Sequence, residues 1–333
     1  MSAARQATAR QSAPASLRHR LEHGAFRAAR SLLRALPEAA AAGVGAALGR
    51  IAGDVLRIRR PTVHENLRRA FPEAPPAWIH RIARASYRHL GCEAAATVRL
   101  LGASREAVRA ATEVEGWEEF QAAAAAGRGV VLVTAHLGNW EVGAAALAAR
   151  GLAVEGVVQV QRNRRFDADL ARMRAAAGVV VVPKGDAPRR LPQALREGRV
   201  AALLADQTVL RGGVRVPFLG ASAPVPRGPA VFALRTGAPL WAGAAVRLPG
   251  GSRARYRVLL QPVWAPPAAT PPPGGGSSGA APPRGQPRPA LPAPSASDPD
   301  SVGALTAAHL QVLEGWIRRW PEQYFWLHRR RRG

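Results

Sequence analysis

Short unbroken runs of apolar residues recur along the middle of the chain, separated by stretches with a helical spacing of polar positions. The clearest is 130–133, where Val and Leu alone follow one another, as is typical of a strand buried on both faces. Similar strands are predicted at 153–160, 179–182, 200–205, 240–246 and 255–260. Because helical patterns alternate with these strands, the sequence predicts an α/β fold with a mostly parallel central sheet flanked by helices.

Residues 17–60 carry a different pattern. Leu17, Leu21 and further apolar residues are interspersed with arginines over 17–35, which predicts a basic amphipathic helix. Such a helix either lies in the interface of an anionic membrane or packs on the protein with a solvated arginine face. The next helix, 38–56, is rich in Ala and Gly and too weakly hydrophobic to span a bilayer. We therefore expect N-terminal membrane-associating helices.

The remaining organisation follows from composition along the chain. Residues 1–16 are polar and predicted to form a disordered arm, and 17–60 hold the amphipathic helices. One large domain is predicted from 61 to 333. It is interrupted by a Pro/Gly/Ser-rich insertion at 262–299 that cannot bury enough apolar surface to fold.

The net charge of the chain restricts the kinds of partner that it can bind. A net charge of +25 and a pI near 11.8 indicate an acidic partner, whether nucleic acid, an anionic membrane surface or an acidic carrier protein. Cys92 is the single cysteine, which excludes an internal disulfide framework. Its Ala-rich helical context favours a small buried residue over a nucleophile. The histidines are scattered, so no metal site is expected.

The best candidate for chemistry lies where the strand 130–133 runs on into a turn. His136 is predicted at the carboxyl end of this strand, the edge at which open α/β sheets bind ligands. Glu141 falls in the first turn of the next helix. Imidazole has a pKa suited to deprotonating a hydroxyl, and a carboxylate can fix its tautomer and stabilise its charge. We therefore expect His136 and Glu141 to act as a dyad, although a helix-capping turn with a surface Glu has the same spacing.

Other polar residues are expected at the same edge. Asn139 is in the turn itself, Arg162 follows the second strand, and Asp206 and Gln207 follow the fourth. Because the carboxyl ends of parallel strands meet at one edge, these side chains are candidates for binding substrate.

Several segments resemble one known family. The segment 133–141, VTAHLGNWE, resembles the His-x4-Asp/Glu signature of glycerolipid-type acyltransferases, and most closely that of the lipid A late acyltransferases, the lauroyl and myristoyl transferases. Residues 161–163 resemble a shortened Arg-x-x-Asn-like segment, 216–220 a Val-Pro-Phe-Phe-Gly motif, and 320–330 the C-terminal signature. The resemblance covers roughly 25–262 and 300–331.

This resemblance implies a membrane-associated O-acyltransferase. Its donor would be acyl carrier protein, its acceptor a hydroxyl of a lipid A precursor in lipopolysaccharide biosynthesis, and its location the cytoplasmic face of the inner membrane, without cofactor or metal. His136 would take the hydroxyl proton while Glu141 orients it, and backbone amides near Gly138 with the Arg162 side chain would stabilise the oxyanion. Arg227, after the Phe-Leu-Gly motif, would contact a phosphate.

Other functions share parts of this pattern. Phosphatidylinositol mannoside acyltransferases of actinobacteria and other glycolipid or lysophospholipid acyltransferases have the same signature, and they would use acyl-CoA. A basic nucleic-acid-binding protein would explain the charge, but no recognised nucleic-acid motif is present and the arginines are dispersed. Acyl transfer to a glycolipid therefore remains the leading hypothesis.

Overall fold

A computed structural model of the protein describes residues 17–250, 253–266 and 299–330. Its strands are β1 (Thr112–Glu115), β2 (Val130–Gly138), β3 (Val154–Val158), β4 (Val179–Pro183), β5 (Val200–Leu204), β6 (Gly213–Phe218), β7 (Ala221–Pro226), β8 (Leu240–Arg247) and β9 (Tyr256–Trp264). Seven of them form one sheet in the order β1-β9-β8-β2-β5-β3-β4, and every neighbouring pair except β8 and β9 is parallel. The predicted mostly parallel α/β fold is confirmed.

Strand β2 lies at the centre of this sheet, hydrogen-bonded to β5 on one side and β8 on the other. Val131 and Val133 face one hydrophobic core, and Val130 and Leu132 face the second core on the opposite side of the sheet. Burial on both faces explains why the run is apolar without alternation.

The helices cover both faces of the sheet. They are α1 (Leu17–Ala35), α2 (Glu38–Arg50), α3 (Arg60–Ala70), α4 (Pro76–Leu100), α5 (Arg105–Ala110), α6 (Trp117–Ala125), α7 (Trp140–Ala149), α8 (Arg164–Ala176), α9 (Ala187–Arg196), α10 (Gly228–Thr236) and α11 (Pro299–Arg319), with a π-helical turn at Ile51–Val55 and a 3-10 turn at Pro321–Gln323. The larger core joins β2 to α3, α4, α9, α10 and α11. The smaller core joins it to α5, α6 and α7. The long α4 passes close to the edge where β2 ends, since its Glu93 and Thr97 accept hydrogen bonds from the Asn139 side chain.

The N-terminal helices differ in how they pack. Helix α2 lies directly on α4, because Gly45 and Gly91 face each other across the interface and a Cβ on either would collide with the backbone of the other. Helix α1 has no buried residue. In the described residues no single helix is long and apolar enough to cross a membrane, although the bent pair 38–55 and 60–70 passes that test jointly, by length and composition alone.

Three segments differ from their prediction. Residues 112–115 form the edge strand β1 against β9, which was not among the predicted strands. Residues 213–226 form the antiparallel hairpin β6–β7, which was likewise not among the predicted strands. The proposed insertion starts too early at 262, because residues 262–264 continue β9 and pair with Leu240 and Trp241 of β8. The predicted disordered arm, 1–16, and most of the predicted insertion, 267–298, lie outside the described residues.

Candidate active site

The predicted base, His136, is held by a buried aspartate rather than by the predicted glutamate. Asp206 lies just beyond β5, and the parallel register that pairs Thr134 with Leu204 brings the ends of the two strands together. His136 Nδ1 is 2.8 Å from Asp206 Oδ1, and the backbone N–H of His136 donates to Asp206 Oδ2 at 3.1 Å. Asp206 is 1% exposed. Nδ1 is thereby engaged, which leaves Nε2 as the ring nitrogen available to a substrate hydroxyl.

The chain bends sharply just after His136. The pairing register of β2 shifts between Thr134 and Gly138, and Gly138 has a φ of +62°. A Cβ at Gly138 would overlap the carbonyl oxygen of Ala245, so both the conformation and the space require glycine. The bend carries the chain from the sheet edge directly into α7.

A segment near the C-terminus closes over this pair. Tyr324 forms an antiparallel bridge with Leu137, and its hydroxyl donates to Asp206 Oδ2 at 2.9 Å. The Phe325 N–H donates to the carbonyl oxygen of His136 at 2.9 Å, and its ring centroid lies 5.9 Å from that of the imidazole. The sequence contained a signal for this arrangement, the C-terminal family signature, but its aromatic residues are equally compatible with a membrane interface.

The charges of the pair stabilise one another. Burial alone would raise the pKa of Asp206, but His136 and the hydrogen bonds from its ring, its backbone N–H and Tyr324 lower that pKa to about 2. Burial alone would lower the pKa of His136, and Asp206 outweighs it, so the pKa lies above the ordinary value. Asp206 is therefore ionised whenever the imidazole accepts a proton, as a supporting carboxylate must be.

Glu141 has a different partner. Its carboxylate accepts from Arg174 of α8, with Nε 2.9 Å from Oε2 and 3.1 Å from Oε1 and a further contact from Nη2. Both side chains are mostly buried, at 16% and 17% exposure. The structure therefore contradicts the expectation that Glu141 orients the imidazole, because Asp206 forms the hydrogen bond to Nδ1. Arg174 was not identified from the sequence, since nothing local distinguishes it from the other arginines of α8.

The Asn139 side chain stabilises the turn between β2 and α7. Its Oδ1 accepts from the Val142 N–H and so caps α7, while its Nδ2 donates to Glu93 at 2.8 Å. Glu93 also accepts from Tyr256 and Arg247 at 2.7 and 2.9 Å. The Asn139 backbone N–H donates to Ala245, which removes one of the amides expected near Gly138 for the oxyanion. The side chain predicted to bind substrate is thus engaged in a buried polar cluster.

Three other residues predicted to bind substrate lie outside the lining of the cavity beside His136. Arg162 and Arg227 are exposed and Gln207 is half-buried, and within the described structure none of the three lines the cavity beside the imidazole. For Arg162 the reason is local: the next residue, Asn163, caps α8 and donates to the carbonyl of His19 in α1. This turn therefore docks the N-terminal helix instead of reaching the sheet edge.

An apolar cavity of about 330 Å³ opens beside His136. It runs between α1, α4, α7 and α8, and its walls also carry Glu141, Arg174 and His89. A volume of this size, lined mainly by apolar groups with a few polar ones at one end, suits a hydrocarbon chain with a reactive head. The apolar walls are formed chiefly by Phe26, Leu90, Trp140, Leu170, Met173 and Phe325. Among the described residues no group of three or more His, Cys, Asp or Glu could hold a metal ion.

A histidine–aspartate pair at the carboxyl edge of a parallel sheet, beside an apolar cavity, defines an enzyme that can activate a hydroxyl next to a bound chain. Comparison with known proteins identifies the family within this class. The chain belongs to the bacterial lipid A biosynthesis acyltransferase family, whose family model matches residues 19–265. It is an acyltransferase.

The similar curated proteins act on another glycolipid. The chain is 31% identical over 220 residues to a phosphatidylinositol mannoside acyltransferase of Mycolicibacterium smegmatis, covering 63% of this chain and 70% of that protein. It is 33% identical over 131 residues to the protein of the same name from Mycobacterium tuberculosis H37Rv, covering 38% and 42%. Family and relatives together support a glycolipid acyltransferase, and the relatives' names match the alternative acceptor rather than the lipid A precursor.

Proposed function

We propose that the protein transfers a fatty acyl group from a thioester donor to a hydroxyl of a glycolipid at a membrane surface. The observation that carries this proposal is the His136–Asp206 pair, with Nδ1 bound at 2.8 Å and Nε2 left for substrate, at the head of the apolar cavity. The acyl chain occupies the cavity, which places the thioester carbonyl close to the imidazole.

The reaction proceeds without a covalent acyl-enzyme. His136 Nε2 takes the proton of the acceptor hydroxyl, and the oxygen attacks the thioester carbonyl to form a C–O bond. The tetrahedral intermediate then expels the thiolate as the C–S bond breaks, and the imidazolium returns its proton to the sulfur. Asp206 stabilises the imidazolium formed between these two steps. Glu141 and Arg174 offer hydrogen-bonding groups at the cavity wall for the polar part of a substrate.

The similar proteins indicate which acceptor substrates to test first. The names of these relatives make a phosphatidylinositol mannoside the first acceptor to test, and the family makes a lipid A precursor the second. Both acceptors are anionic, which suits a chain of net charge +25. Acyl carrier protein and acyl-CoA are both thioester donors on the cytoplasmic side of the inner membrane, and we propose that this is the face at which the enzyme works.

The N-terminal helices are proposed to hold the enzyme on that surface. Exposed apolar side chains concentrate there: Leu17, Leu21, Leu32, Val44, Leu48, Ile51, Val55, Leu56 and Ile58. Arginines separate them, a pattern that favours an anionic lipid interface. Because Phe26 of the same α1 lines the cavity, binding of α1 to lipid would bring the cavity to the membrane surface.

The test is transfer of a labelled acyl group from acyl carrier protein or from acyl-CoA to each acceptor in vesicles. Wild type, His136→Ala and the control His80→Ala, which changes an exposed histidine of α4, are compared. Product from at least one donor–acceptor combination, lost in His136→Ala and kept in the control, supports the proposal. If folded wild type forms no product from any combination, the proposed acyl transfer is rejected. If His136→Ala forms product at the wild-type rate, His136 is not the general base.

A further inference from the structure

The segment 321–330, here termed the C-terminal strap, contacts the catalytic pair and contributes Tyr324 and Phe325 to the lining of the cavity. Its Tyr324 is 3% exposed and donates to Asp206 Oδ2, the oxygen that also accepts from the His136 N–H. Arg330 Nη2 donates in turn to the Tyr324 hydroxyl oxygen at 2.6 Å. A continuous hydrogen-bonded chain therefore leads from Arg330 through Tyr324 and Asp206 to the imidazole.

Arg330 is fixed by its own surroundings. Its guanidinium carbon lies 4.6 Å from the ring centroid of Phe218 in β6 and 5.7 Å from that of Tyr324. Nη1 lies 3.4 Å from the Phe218 carbonyl oxygen. Stacking and hydrogen bonding together hold the cation behind the tyrosine, out of reach of the cavity.

The direction of each hydrogen bond follows from these charges. Burial holds the pKa of Tyr324 well above its usual value, so the phenol keeps its proton and donates it to the carboxylate. Arg330 can only donate, so the phenol oxygen accepts from it. A hydrogen bond accepted by a hydroxyl strengthens the bond that the hydroxyl donates.

We propose that Tyr324 and Arg330 are positioning residues for acyl transfer, which fix the Asp206 carboxylate and moderate its hold on His136. This rests on the proposed function. With Oδ2 occupied by two donors, the carboxylate cannot rotate, and Oδ1 stays directed at Nδ1. The Tyr324 hydrogen bond also withdraws charge from the carboxylate, so the imidazole remains a weaker base than an unshared aspartate would make it. Both act through Asp206: the Tyr324 hydroxyl is directed at the carboxylate, and Arg330 does not line the cavity.

Other charged groups near His136 do not replace this effect. The Glu141 and Arg174 pair in the cavity neutralise one another. His328 of the strap accepts from the Thr208 N–H, and burial lowers its pKa. On α4, His89 lies in the cavity wall, and burial lowers its pKa as well, while Glu93 is bound to Arg247. Within the described residues, Asp206 is the carboxylate in hydrogen-bond contact with the imidazole.

The experiment compares Tyr324→Phe and Arg330→Gln with Arg329→Gln, a matched change at the exposed neighbouring arginine of the strap. For Tyr324→Phe we expect the acidic limb of the kcat/KM profile to move up by about 0.5–1 pH unit, because one competing hydrogen bond is lost. The value of kcat should fall about tenfold with KM unchanged. Arg330→Gln should move the limb in the same direction by less, Arg330→Lys should restore part of it, and Arg329→Gln should match wild type.

A purely structural role predicts another result. The melting temperature and the activity of Tyr324→Phe and Arg330→Gln would then fall together while the acidic limb stays in place, and this outcome would overturn the proposal. Titration of His136 by NMR in wild type and both variants gives the same answer without turnover. A shift of the His136 titration in a protein that transfers no acyl group would reject the proposed function and keep the positioning role.

Discussion

Replacing Asp206 by asparagine should stop the reaction through the tautomer of His136. At Oδ2, the side chain receives two donors, the His136 backbone N–H at 3.1 Å and the Tyr324 hydroxyl at 2.9 Å. In the Asp206→Asn variant the amide oxygen must occupy that position, because an amide nitrogen there would face two donors. The amide NH2 then faces Nδ1 of the imidazole, which has to accept. The ring proton moves to Nε2, where it blocks removal of the proton from the acceptor hydroxyl.

The expected fall in kcat follows from the two interactions that asparagine does not provide. A wrong tautomer with intact geometry, together with loss of the negative charge beside the imidazolium, costs about 10³–10⁴ in kcat in the best-studied His–Asp enzymes. This corresponds to about 4–5.5 kcal/mol of transition-state stabilisation. Because the cavity is unchanged, KM for the acyl donor should stay close to that of wild type. Initial rates of labelled acyl transfer, with circular dichroism to verify folding, measure both quantities.

Glu141→Gln is the matched comparison, since it also removes one carboxylate near His136. Glutamine keeps an acceptor for Arg174 and leaves the contact of Asp206 with Nδ1 intact. We expect a loss of about ten- to a hundredfold, the value of one charge-assisted hydrogen bond. The reverse ranking would refute the reasoning: Asp206→Asn within about tenfold of wild type, and Glu141→Gln reduced more than about a thousandfold.

Three further outcomes test the cavity, the core and the surface. Met173→Trp narrows the cavity and should shift preference in donor competition assays towards shorter acyl chains, whereas Met173→Leu should not. His309 is buried with both ring nitrogens unpartnered among the described residues, and burial lowers its pKa from 6.5 to about 4. The unfolded chain binds the extra proton, so stability should fall by about 3 kcal/mol as the pH is lowered from 6.5 to 4; His309→Leu should remove this slope in urea unfolding, and an unchanged slope would contradict it. Val55→Glu should weaken binding to anionic vesicles about tenfold in sedimentation, while Leu210→Glu, similarly exposed in a loop elsewhere, should not.

Much of the architecture could be predicted from the sequence. Continuous apolar runs determine buried parallel strands, because a strand covered on both faces has no polar positions, and the run at 130–133 is β2 at the centre of the sheet. Edge strand β1 and the hairpin β6–β7 were missed. In β1 the burial declines along four residues, and β6–β7 contains prolines and glycine, so neither presents a strong local pattern.

The position of His136, the proposed base, at the carboxyl edge of the sheet was determined by the sequence itself, through the strand–His–turn pattern at residues 130–138. Only the tertiary structure decided which carboxylate supports it. Glu141 is close in sequence, yet α7 directs it to Arg174, while the register between β2 and β5 sets Asp206 against Nδ1 across a separation of 70 residues. The same holds for Tyr324, which reaches Asp206 because the strap pairs with the end of β2. Spacing along a chain limits which local contacts can form, but contacts between distant segments depend on strand register and packing, which no local pattern encodes.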